Sequence, residues 1–86
     1  MNNSITPMSK ENFISDISNI LSIGEEDVNL TDNPFEVGID SLRLMILMEK
    51  WRVQGIDIFF GELAERQSIQ AWWSLIQERL NAVDYV

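Results

Sequence analysis

The stretch Asn33–Trp51, NPFEVGIDSLRLMILMEKW, decides the fold, because within it a turn-rich loop passes into a helix. Asp40 is a favoured N-cap residue and Gly55 a C-terminal stop, which together predict a helix over 41–53. Leu44, Leu47, Met48 and Trp51 fall at three-and-four spacing and make one apolar stripe. Leu42, Met45 and Ile46 lie off that stripe, so one face is expected to be core and the other a contact surface. At the junction, Gly38-Ile39-Asp40-Ser41-Leu42 places a hydroxyl in the first helical turn. Unpaired backbone amides and the positive end of the helix dipole favour a negative group there, so a phosphate ester on Ser41 suits the position. Gly38 lets the chain turn close to the hydroxyl without obstructing an enzyme, and the Asp40 carboxylate can hold a divalent metal arriving with a phosphate donor.

Residues 24–40, GEEDVNLTDNPFEVGID, read as a long acidic loop with scattered apolar anchors at Val28, Leu30, Phe35 and Val37. Loops of this length in a small domain are held by their own apolar residues, and Leu30 and Phe35 are the expected pins. Before the loop, Phe13, Ile14, Ile17, Ile20 and Leu21 trace one stripe on a first helix expected to end near Ile23 and Gly24. Its start is set by Thr6 with Pro7 in the first turn, or by Ser9. Residues 1–8 are expected to be a disordered tail and 9–83 the folded domain. After the central helix, Ile56 to Phe60 alternates briefly and Gly61 to Arg66 offers a short third helix, with Phe59 expected in the core. Ser68 can cap a last helix carrying Ile69, Trp72, Trp73, Ile76, Leu80 and Val83, in which one tryptophan is expected to be core and its neighbour partly exposed. The expected architecture is all-α: a four-helix bundle with a long loop between helices one and two and a short third helix.

The whole chain of 86 residues suffices for one small domain. Its net charge of −8, from six basic against fourteen acidic side chains, argues against nucleic acid and membrane surfaces and for enzymes with basic patches. Without Cys there is no disulfide or thiolate chemistry, and without His the commonest general base and zinc ligand is absent. Lys10 and Lys50 fall on predicted helices away from the junction, so nothing nearby would deprotonate Ser41. The chain therefore reads as a non-enzyme with no catalytic residue or resident metal, and Ser41 as a residue that is modified. No cationic leader or bilayer-length apolar run is present, which makes a cytoplasmic location the default, and a monomer is the simplest state.

With its loop, helix and tryptophan context, NPFEVGIDSLRLMILMEKW resembles the phosphopantetheine-dependent carrier proteins, over roughly Phe13 to Leu80. Arg43, the Trp51-Arg52 pair, Ile56-Asp57-Ile58 and Ile69-Gln70-Ala71-Trp72-Trp73 look most like the aryl and peptidyl carrier domains of nonribosomal peptide synthesis, siderophore aryl carriers in particular. The resemblance implies 4'-phosphopantetheine on Ser41, Asp40 beside the metal and coenzyme A phosphates during transfer, and cargo held as a thioester on an arm whose thiol this Cys-free chain cannot supply. It also implies that Leu42, Met45, Phe60 and Ala64 face partner enzymes: a phosphopantetheinyl transferase, an adenylation enzyme that loads the arm, and a condensation or other transferring enzyme that unloads it. Arg43 stands where many fatty-acid-type carriers have an acidic residue, and the chain begins only a few residues ahead of helix one, as a free-standing carrier would. The expected function is shuttling of acyl, aryl or peptidyl intermediates in a nonribosomal peptide or siderophore-like secondary-metabolite pathway. The alternatives are a polyketide or fatty-acid type acyl carrier and a small helical adaptor with no prosthetic group.

Overall fold

The structure, a computed structural model, describes residues 8–83, with side chains placed through Leu80. Its elements are α1 (Lys10–Leu21), a 3-10 turn (Glu25–Asp27), α2 (Ser41–Val53), α3 (Phe60–Ala64) and α4 (Ile69–Val83), with no strand among the described residues. Ser9 caps α1: its Oγ accepts from the Asn12 amide at 3.1 Å, and the Asn12 side chain accepts from the Ser9 amide at 3.3 Å. The competing start at Thr6 and Pro7, residues 1–7 of the tail expected over 1–8 and the Val83 side chain lie outside the described residues. Met8, expected in that tail, is instead buried as part of the hydrophobic core, because its apolar side chain packs there just ahead of the α1 cap. Helix α1 stops at Leu21, two residues earlier than the apolar pattern suggested, because Ser22 takes a left-handed conformation with φ 59° and closes the cap onto the Asn19 and Ser18 carbonyls.

The core is built around a relay of aromatic rings. Phe13 of α1 packs between Trp73 and Trp51, at centroid distances of 5.3 and 5.8 Å. Trp51 meets Trp72 edge to face at 6.4 Å, and Trp72 meets Phe35 of the loop in the same way at 5.8 Å. Leu44, Leu47 and Trp51 are buried as their spacing predicts, and Leu42, Met45 and Ile46 are exposed.

Three expectations are corrected. Trp72 and Trp73 are both buried, because α4 is covered on two sides: Trp72 turns to α2 and α3, Trp73 to α1. Phe59 is 69% exposed, because the segment before α3 alternates like a strand, with Ile56 and Ile58 inward and Asp57 and Phe59 outward. In the loop Leu30 does pack against the core, whereas Phe35 touches Trp72 from a half-open position and Val37 is exposed; the fully covered loop residues are Pro34 and Ile39.

The loop is also sewn to α4 through its main chain. The Ile69 amide donates to the Asp32 carbonyl at 3.0 Å and the Gln70 amide to the Leu30 carbonyl at 2.8 Å, while Ser68 Oγ accepts from the Ala71 amide at 3.0 Å. The first free amides of α4 are thus satisfied largely by the loop, which holds the loop in place.

Candidate functional site

Ser41 is the first residue of α2 and Asp40 its N-cap. The Arg43 amide donates to Asp40 Oδ1 at 2.9 Å, and the Arg43 guanidinium donates to Oδ2 at 3.0 Å. The Leu44 amide, at 2.9 Å from the Asp40 carbonyl, makes the first helical bond. Among the described residues no acceptor pairs with the Ser41 and Leu42 amides, so free donors and the positive end of the helix dipole lie beside an exposed hydroxyl. That donor set fits a phosphodiester on Ser41 Oγ.

The loop delivers the hydroxyl to this place by fixing the two residues before it. Ile39 is buried, and its amide donates to the Pro34 carbonyl at 3.0 Å. Upstream, the Asn33 side chain accepts from the Phe35 amide at 2.9 Å, and the Asn33 carbonyl from Glu36 and Val37. Gly38 has φ 130°, a conformation that side-chain-bearing residues rarely adopt, and a Cβ there would stand 3.3 Å from Leu21 of α1. Its glycine is therefore required by the backbone and by the close passage of α1, in addition to the open approach read from the sequence.

No group of three or more His, Cys, Asp or Glu side chains that could hold a metal gathers among the described residues, at Asp40 or elsewhere. A divalent ion at this carboxylate needs its remaining ligands from an incoming molecule, and Arg43 has to yield the oxygen it holds. Lys50 is tied to Asp16 at 2.9 Å at the far end of α2, and Lys10 opens α1. Neither amine belongs to the junction.

The structure brings Gly38, Asp40, Ser41 and Leu42 together at one corner and places Met45 one turn farther along α2, with Leu42 68% and Met45 57% exposed. Phe60 and Ala64 are exposed on α3, a separate element. A groove of about 180 Å³ lined by Met45, Met48, Glu49, Arg52 and Ile58 lies between α2 and the segment leading to α3. Sequence reading did not find the Arg43–Asp40 pair, although an Arg three residues after an N-cap Asp can reach back to it. It also passed over Ile39, whose signal was a lone β-branched residue between a glycine and the cap.

Residues 13–76 match the family described as the phosphopantetheine attachment site. The chain is 38% identical over 80 residues to the acyl carrier protein ScoB of Streptomyces coeruleorubidus, covering 93% of this chain and 94% of that one. It is 37% identical over 73 residues to an isochorismatase of Bacillus subtilis, covering 85% of this chain and 23% of that protein. With enterobactin synthase component B of Escherichia coli K12 the identity is 41% over 49 residues, covering 57% of this chain and 17% of the relative. The chain thus spans nearly all of ScoB and less than a quarter of the other two. No solved structure matches it significantly.

Proposed function

The chain belongs to the phosphopantetheine attachment-site family of carrier proteins, and from that premise we propose that its prosthetic arm is attached at Ser41 and carries aryl or aminoacyl groups in a nonribosomal peptide type of pathway. As a member of that family it is a carrier and not an enzyme, and it bears covalent 4'-phosphopantetheine. The arm supplies a terminal thiol on which cargo is held as a thioester.

The observation that carries the Ser41 assignment is the capped junction itself: a solvent-open hydroxyl at the first position of α2, beside free main-chain donors, with the residues on its loop side fixed by Ile39 and Gly38. Ser41 lacks a nearby base, so the transferase must take its proton. Asp40, once released by Arg43, offers one oxygen to the metal that accompanies coenzyme A. Leu42 and Met45 on α2, with Phe60 and Ala64 on α3, form the surface that visiting enzymes read. Met45 suits repeated use, because a flexible thioether repacks against differently shaped partners. These partners are a phosphopantetheinyl transferase, an adenylation enzyme and a condensation or transferring enzyme, each meeting the carrier briefly through a small interface. Among the described residues no helix is long and apolar enough to cross a membrane.

An aryl or aminoacyl cargo is supported by the similarity to the isochorismatase and to the enterobactin synthase component. ScoB, a protein named only as an acyl carrier, keeps a polyketide or fatty-acyl cargo as the second reading. Loading the holo protein in parallel with aryl acids, amino acids and acyl donors, each with its activating enzyme, separates the two. Transfer from an aryl-acid or amino-acid adenylation enzyme supports the first, and transfer from an acyltransferase alone supports the second.

A further inference from the structure

Helix α3 is five residues long, too short to persist by its own hydrogen bonds, so its position is imposed by the bundle. Two apolar side chains anchor it. Ile58 is buried just before it and Leu63 within it, and the Trp72 indole N–H adds a bond at 2.9 Å to the Leu63 carbonyl. Two anchor points define an axis, and rotation of a short helix about that axis is left open. Phe59 is exposed and supplies no third anchor, while Phe60 and Ala64 lie off the axis and sweep with any rotation.

The third point is polar and comes from α4. Arg79 donates from Nη1 to the Asp57 carbonyl at 2.7 Å and from Nη2 to Glu62 Oε2. Glu62 Oε1 in turn accepts from the Phe59 amide at 3.0 Å, and the Glu62 carbonyl accepts from Arg66 at 2.8 Å. One guanidinium therefore grips the chain on both sides of the α3 N-terminus, with about two-thirds of both side chains or more withdrawn from water.

We propose that Arg79 is a positioning residue for the partner-facing surface: through Asp57 and Glu62 it sets the rotation of α3 and so the placement of Phe60 and Ala64. The inference rests on the reading of that surface as the one enzymes contact, and it assigns a role to a residue of α4 outside the Ser41 junction. Glu62 is held ionised below the usual carboxylate range, first by the Phe59 amide and then by Arg79, consistent with a carboxylate that stays committed to the clamp.

The test uses the phosphopantetheinylated full chain as wild type, Arg79→Ala, Arg79→Lys and Glu62→Gln. Amide hydrogen exchange is read for residues 62–66 against α1 and α2, and KM and kcat are read with an adenylation enzyme that loads the wild type. The expected result for Arg79→Ala and Glu62→Gln is exchange about tenfold faster in α3 with α1 and α2 unchanged, and a carrier KM raised about three- to tenfold at constant kcat. Arg79→Lys, which keeps the charge but cannot span both acceptors, falls between. Three results overturn the proposal: unchanged α3 exchange, faster α3 exchange with unchanged KM, or loss of protection spread evenly over α1 and α2 in both variants. Failure of the carrier reading shows separately, as a wild type that gains no phosphopantetheine, and leaves the exchange measurement to decide the clamp.

Discussion

The indole N–H of Trp51 donates to Asp16 Oδ2 at 2.9 Å, joining α2 to α1 at a place where the carboxylate is almost wholly covered. Lys50 closes the other oxygen from the half-exposed side at 2.9 Å. Asp16→Ala strands a buried indole donor and is expected to cost about 1–3 kcal/mol in urea unfolding. Asp16→Asn keeps an acceptor for Trp51 and loses only the Lys50 pairing, a loss of about 1 kcal/mol or less for a pair with one exposed partner. Equal destabilisation by the two variants would show that the indole bond contributes nothing.

Gly38 and Ile39 fix the approach to Ser41 from the loop side. Gly38→Ala forces a Cβ into a φ of 130° beside Leu21 and is expected to destabilise the fold by about 1–3 kcal/mol. Ile39→Ala, which empties a buried site next to the cap, is expected to cost about 2–5 kcal/mol. Both should slow modification of Ser41 more than a matched loss of stability from a substitution at Ile76, a core residue of α4. Thermal midpoints and transferase rates on the same samples check this.

Met45 is exposed one turn beyond Ser41, off the buried stripe of α2. Met45→Asp should leave helicity and Ser41 modification intact and lower the rate of cargo handover to a partner enzyme by about tenfold, the size expected for a central interface residue. Handover at the wild-type rate would remove Met45 from the contact surface.

Glu62 carries a pH signature. Its folded value is lowered by the Phe59 amide and by Arg79, so its contribution is complete above the ordinary glutamate range near about 4.3 and is lost as the pH falls through the depressed folded value. Wild type should therefore exceed Glu62→Gln in stability by a constant margin at neutral pH, with the margin shrinking only in acid. A margin that grew on acidification would contradict the pairing.

Much of the architecture was legible because its signals are periodic. The α2 limits follow from Asp40 and Gly55, and its two faces follow from Leu44-Leu47-Trp51 against Leu42-Met45. Adjacent tryptophans were misread because the spacing within α4 shows which residues are apolar and not how many sides of the helix are covered. Phe59 was misread although the alternation Ile56-Asp57-Ile58-Phe59 already turned it outward, because aromatic character was weighed above period. Asp16, Arg43 and Arg79 act through partners 35, three and 22 residues away, and only the fold brings the distant ones within reach. The junction at Ser41 was the most legible part of the site, being local in sequence from Gly38 to Leu42.

The most direct test of the central claim is the intact mass of wild type and Ser41→Ala after incubation with coenzyme A, magnesium and a promiscuous phosphopantetheinyl transferase. A gain of one phosphopantetheinyl group on wild type and none on Ser41→Ala is the predicted result. The same gain on Ser41→Ala, or none on wild type while a known carrier in the same tube is modified, would contradict attachment at Ser41.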